Sequence, residues 1–101
     1  MPGFFNDTRN ADYKSIVVSV STTEVEAKVG GSRLFDRQGV WLYNDSSTTV
    51  YIGPTGVTAS GSTKGFPLAK AQSAFIEAPD SVAVFLIASS GTNSVIVQEI
   101  A

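Results

Sequence analysis

From Ser15 onward, short runs of Val, Ile, Thr and aromatic residues are broken by Gly, Asn, Asp, Ser or Pro at intervals of about eight to twelve positions, the punctuation of strands. Ser15 to Ser21 places Ile16, Val18 and Val20 on one face. Thr23 to Val29 sets Val25, Ala27 and Val29 against Glu24, Glu26 and Lys28, the alternation of a half-buried strand. Gly30-Gly31-Ser32 ends that pattern, and Arg33 to Gln38 reads as a connection with Leu34 or Phe35 turned inward. Val40 to Tyr43 and Thr48 to Ile52 flank Asn44-Asp45-Ser46-Ser47, whose side chains bond readily to nearby backbone, so the pattern predicts a central hairpin. Gly53 to Gly65 is too polar and too rich in breakers for an element and reads as the main surface loop, with Phe66-Pro67-Leu68 returning the chain to the core. Strands follow at Ala74 to Glu77, Val82 to Ala88 and Ser94 to Ile100, with a turn at Pro79-Asp80 and a hairpin loop at Ser89 to Asn93. In the last strand Val95, Val97 and Glu99 alternate with Ile96, Gln98 and Ile100. No stretch carries a capped helical stripe, so the expected fold is all-β: a small antiparallel β-sandwich or barrel of about seven strands.

Residues 1–14 break this rhythm. Pro2, Gly3, Asn6, Asp7, Asn10 and Asp12 interrupt Phe4, Phe5 and Tyr13, and neither a two-residue nor a helical period survives. The segment is expected to be an extended N-terminal arm on a domain spanning residues 15–101. Adjacent phenylalanines favour an arm that docks, since each such side chain gains about 1.5–3 kcal/mol in an apolar pocket, which a neighbouring subunit could supply.

Composition narrows the function more than the fold. The 101 residues suit one core, and with 43% hydrophobic and 16% charged residues the chain folds rather than staying disordered. A net charge of −2 offers no attraction for a phosphate backbone, so nucleic acid is not expected as a partner. There is no Cys and no His, which removes disulfides, thiolate metal sites, Cys nucleophiles and the usual proton-transfer residue. Neither a secretory signal pattern nor an apolar run of about 18 residues is present, so the expectation is synthesis in the cytoplasm and no membrane. The mean hydropathy of +0.13 is high for so small a domain and points to apolar surface covered by another subunit.

Candidate chemistry is sparse. Gly56-Val57-Thr58-Ala59-Ser60-Gly61-Ser62-Thr63-Lys64 resembles a phosphate-binding loop only superficially, because Lys64 follows Ser-Thr rather than the second Gly, and Gly65 and Pro67 bar the helix that loop requires. Asp7, Asp12, Glu24, Glu26, Asp36, Asp45, Glu77, Asp80 and Glu99 form no pair suited to glycoside hydrolysis and no calcium loop. Glu24 and Glu26 read as a solvated strand edge, and Asp45 and Asp80 as turn residues. The N-x-[ST] sequons at Asn6 and Asn44 carry no meaning without secretion. No catalytic residue, metal site or cofactor is assigned, and the chain is not expected to be an enzyme. Trp41 and Tyr43 alternate with Val40 and Leu42; a lone Trp usually joins the core, but as the outward pair the two aromatics become contacts for a partner or a glycan. Phe4, Phe5, Tyr13, Trp41 and Tyr43 are the candidate partner-binding residues.

One resemblance rests on the order of several short pieces. Asn44-Asp45-Ser46-Ser47, then Val50-Tyr51-Ile52-Gly53, Gly56-Val57-Thr58, Gly65-Phe66-Pro67-Leu68 and Ala88-Ser89-Ser90-Gly91-Thr92 follow one another as they do in small structural proteins of tailed bacteriophage particles, which the chain resembles from about Ser15 to Ala101. The resemblance implies a β-sandwich located in the virion. Its leading role would be a capsid decoration or cement protein that bridges major capsid subunits, as a homo-oligomer and by family habit a trimer. A neck or tail adaptor or fibre-base protein is the alternative within that class. A carbohydrate-binding module using Trp41, Tyr43 and the Gly53 to Gly65 loop is the alternative outside it.

Overall fold

The computed structural model describes residues 13–101, which form eight strands and no helix. They are β1 (Tyr13–Val20), β2 (Val25–Glu26), β3 (Gly39–Asn44), β4 (Val50–Gly53), β5 (Phe66–Leu68), β6 (Ser73–Glu77), β7 (Phe85–Ala88) and β8 (Asn93–Ile100). One sheet has the order β1-β8-β3-β6, the other β2-β7-β4-β5, and all pairs are antiparallel. This strand order is that of a jelly roll, an eight-stranded sandwich in which the chain passes back and forth between two four-stranded sheets.

Between the sheets lies one core. Val20, Val40, Leu42, Val95 and Val97 face inward from the first sheet, and Val50, Ile52, Leu68, Leu86 and Ala88 from the second. Inward and outward residues alternate cleanly along β3 and β8, which is why these strands were legible as strands. The expected sandwich is therefore present with one strand more than the pattern indicated.

Several expectations need correction. The central hairpin does not exist: β3 and β4 lie in different sheets, and so do β7 and β8, which the Ser89 to Asn93 loop was expected to pair. Among the described residues β4 and β5 are the consecutive strands that pair with each other, across the long Gly53 to Gly65 loop. Buried asparagines hold two of the corners where the chain changes sheet. Asn44 Nδ2 donates to the Thr48 and Leu68 carbonyls (2.8 and 2.8 Å), and Asn93 Nδ2 to the Val20 and Ser90 carbonyls (3.2 and 2.9 Å).

The strand expected at Thr23 to Val29 shrinks to Val25–Glu26, although Ala27 N still reaches Val84 O at 2.8 Å. Beyond that, the Val29 amide donates to the Glu99 carboxylate instead of a neighbouring strand. At the other end, Tyr13 and Lys14 leave the expected arm and join β1, paired with Ile100 and Glu99. Of the Leu34 and Phe35 alternatives, Leu34 is the partly buried one and Phe35 is exposed.

The Gly53 to Gly65 loop is held by hydrogen bonds within it and by one to Glu24. Thr58 N donates to Thr63 O (3.1 Å), Gly65 N to Thr58 O (2.9 Å), and Gly56 N to the Glu24 carboxylate (2.8 Å), so Glu24 serves as a clamp on this loop. Val57 is buried, and its Cγ2 sits 2.6 Å from where a Cβ would stand on either Gly53 or Gly65. The two glycines are thus the space that Val57 fills. A Cβ on Gly65 would also lie 2.7 Å from the Ile52 carbonyl oxygen, a main-chain atom with little freedom to yield. Gly65→Ala is therefore expected to cost about 1–3 kcal/mol, read as a lowered urea midpoint at unchanged slope, whereas Gly31→Ala, with open space around it, should stay within about 0.5 kcal/mol of the parent.

Candidate functional site

The outward face of the first sheet gathers what polar chemistry does not. Register places the outward residues in rows across the four strands: Val17, Ile96, Tyr43 and Ser73 in one, Ser15, Gln98, Trp41 and Phe75 in the next, and Tyr13, Ile100, Gly39 and Glu77 in the third. Trp41 and Tyr43 are thus the outward pair, 43% and 38% exposed, while Val40 and Leu42 enter the core. Tyr13 stands on the same face at 66% exposure, at the far end of β1. Three of the sequence-predicted contact residues therefore share one surface. Phe4 and Phe5 lie outside the described residues.

Two further residues belong with them. The Phe75 ring packs against Trp41 with centroids 5.0 Å apart and planes tilted by 48°, an arrangement favoured by aromatic quadrupoles. It also lies over Gly39, where a Cβ would come within 2.3 Å of the ring. Gly39 is in effect the seat of Phe75. Beside this pair, Trp41, Tyr43, Ser73, Ile96 and Gln98 line a shallow cleft of about 240 Å³. Apolar walls, the Gln98 amide and the Ser73 and Tyr43 hydroxyls can bind an apolar or aromatic group and orient it.

Several charged residues are occupied with structure. Glu99 and Arg37 form an ion pair at 2.8 Å, both almost fully buried. The Glu99 carboxylate also accepts from the Val29 and Leu34 amides, and Arg37 donates to the carbonyls of Ala78, Pro79 and Val82. The pair therefore fastens the Val29 to Gln38 connection and the Pro79-Asp80 turn to β8. Glu26 holds Arg33 and Lys28, and the Asp80 carboxylate accepts the Asp36 amide at 2.9 Å. Glu26 is thus an ion-paired group rather than a bare edge charge. Lys64 lies over the Tyr51 ring, 5.4 Å from its centroid, on the second sheet. Among the described residues no three acidic side chains assemble as a metal-holding group.

Sequence reasoning missed Phe75 and the Arg37–Glu99 pair. For Phe75 a signal existed: it stands at outward parity between Ala74 and Ile76 in the strand expected at Ala74 to Glu77. The Gly53 to Gly65 loop, proposed beside Trp41 and Tyr43 as part of a glycan site, belongs instead to the second sheet. No protein-family model matches this chain, and no curated protein is similar to it at a significant level.

Proposed function

We propose that this chain is a structural protein of a tailed-bacteriophage particle, of the capsid decoration or cement kind, that binds a protein shell through the outward face of the sheet β1-β8-β3-β6. The observation that carries the reading is the aromatic surface itself: Trp41, Tyr43 and Phe75 stand together, partly exposed, and the two rows that hold them contain no charged residue. Solvent is a poor place for such a surface, and buried aromatics are the usual anchors of protein interfaces. The resemblance of the loop motifs to small phage structural proteins supplies the identity of the shell. Function here is mechanical. Each contact that is lost when shell subunits separate raises the work of separation, and repetition over many copies makes a modest single-site affinity sufficient.

The cleft beside Trp41 supports a second use of the same face, because an aromatic wall with Gln98 and Ser73 at its side also suits a sugar ring. One experiment separates them. Purified chain added to phage heads that lack it should bind saturably, and Trp41→Ala should weaken that binding by at least about 30-fold, the loss of one hot-spot aromatic worth about 2 kcal/mol or more. Heads that take up no chain, or a W41A variant that binds them as well as the parent, overturn the proposal. Saturable binding of the chain to a glycan array, lost in W41A and unaccompanied by head binding, assigns the face to saccharide instead.

A further inference from the structure

We infer that the free edge of β1 is a self-association site, where two copies pair antiparallel about Val17 and join their sheets into one. This goes beyond the shell-binding reading and stands on different residues.

The four sheet edges are not alike. β2 is two residues long and includes the ion-paired Glu26; β5 is three residues and carries Pro67, which cannot donate to another strand. β6 is five residues; of its outward side chains, the apolar Phe75 folds back onto Trp41 and Gly39, and Glu77 is charged. β1 runs for eight residues in unbroken register with β8, without Pro, Gly or bulge, and its one charge, Lys14, sits near its start. Among the described residues nothing pairs with its other side. Natural proteins shorten, charge, kink or cover an edge of this kind, since its row of amides and carbonyls is a template for another strand. Among the described residues, then, three edges are short or otherwise blunted, and the longest is open.

Side chains at this edge are also open on both faces of the sheet. Val17 on the outward face is 60% exposed, and Ile16, which points toward the core side, is 41% exposed at the rim. A ligand lying on one face would cover one of them; a strand added edge to edge flanks both.

The sequence favours a second copy as the added strand. Ser15-Ile16-Val17-Val18-Ser19 reads nearly the same in both directions about Val17. Under a two-fold axis perpendicular to the sheet, Ser15 meets Ser19, Ile16 meets Val18 and Val17 meets Val17 of the other copy, with apolar facing apolar, hydroxyl facing hydroxyl and no like charges opposed. Equivalent faces stay on the same side, because residues of equal parity oppose each other. Lys14 is carried to opposite ends of the junction. Two copies so joined present Trp41, Tyr43 and Phe75 twice on one eight-stranded platform about 38 Å wide at the usual strand spacing.

The absence of cysteine makes the test direct. Sedimentation of the purified full chain should give a dimer. Val17→Cys should form a disulfide-linked dimer on mild oxidation, since opposed Cα atoms across an antiparallel pair fall within disulfide reach, whereas Ser15→Cys, displaced from its own mate by four residues, should not. Val17→Lys and Val17→Glu should each weaken the dimer by at least about 100-fold with the far-ultraviolet circular dichroism of the parent, and an equal mixture of the two should restore it. A monomeric or trimeric parent, a V17K chain that stays dimeric, or cross-linking of S15C in place of V17C overturns the inference. None of these measurements involves phage heads, so failure here leaves the shell-binding test intact.

Discussion

Arg37→Met is expected to lose about 3–5 kcal/mol of stability, enough to leave much of a domain this size unfolded at 37 °C. The cause is the carboxylate left behind. Glu99 is 1% exposed and keeps only the Val29 and Leu34 amides, while the carbonyls of Ala78, Pro79 and Val82 lose their shared donor. Glu99→Leu should cost a similar amount for the converse reason, a guanidinium buried without its anion. The double variant separates the pair's mutual interaction from the loops it fastens. Removing both charges removes the desolvation cost of each, so Arg37→Met combined with Glu99→Leu should be more stable than either single variant. It should still fall short of the parent, since the main-chain groups of Val29, Leu34, Ala78, Pro79 and Val82 would be left without these partners. Urea unfolding followed by circular dichroism gives all four midpoints. A double variant less stable than both singles would mean that the main-chain bonds, not the paired charges, dominate this site.

The pair also marks the limit of what the amino-acid order discloses. Glu99 shares its parity with Val95 and Val97, so an inward carboxylate was visible in the alternation of the last strand. A buried carboxylate requires a buried cation, but Arg37 lies 62 residues away in an irregular connection, and nothing local selects it from the other basic residues. Strands were legible because side-chain alternation and breaker residues are local properties. Sheet membership was not. Asn44-Asp45-Ser46-Ser47 and Ser89 to Asn93 signal a reversal of the chain, and a reversal within one sheet uses much the same residues as a step across to the other. The orientation of β3 was ambiguous for a different reason: Val40 and Leu42 are apolar, but so are the bodies of Trp41 and Tyr43. What decides it is register, which sets Trp41 beside Gln98 and Leu42 beside Val97. The candidate surface was thus legible in its aromatic residues and illegible in its neighbours, Phe75, Ile96 and Gln98, which long-range pairing brings to it.

The corner at Asn44 yields the second large effect, and one with a sign that depends on pH. Asn44 is fully buried at the end of β3; besides its two amide donations, its Oδ1 accepts from the Ser46 amide (3.1 Å) and hydroxyl (2.6 Å). Asn44→Ala leaves the Leu68 and Thr48 carbonyls and the Ser46 amide without this partner, an expected loss of about 3 kcal/mol at about 1 kcal/mol or more for each such group. Asn44→Asp preserves shape and the Oδ1 acceptor, yet near neutral pH it should be the worse substitution. The atom replacing Nδ2 becomes an oxygen facing two carbonyl oxygens, and the charge is buried. Burial of this kind raises a carboxyl above its ordinary value of about 3.9 in the folded chain alone. Between that value and the raised one the folded state holds a proton that the unfolded state has released, so stability falls as pH rises and returns as pH is lowered. The Asn44→Asp deficit should therefore shrink between pH 7 and pH 4 while the Asn44→Ala deficit stays nearly constant, both measured against the parent at each pH. If the two deficits run parallel, the side-chain amide donates to neither carbonyl in solution, and the step from β3 to β4 is held by the main-chain bonds of Asn44 to Gln72 and Ala71 instead.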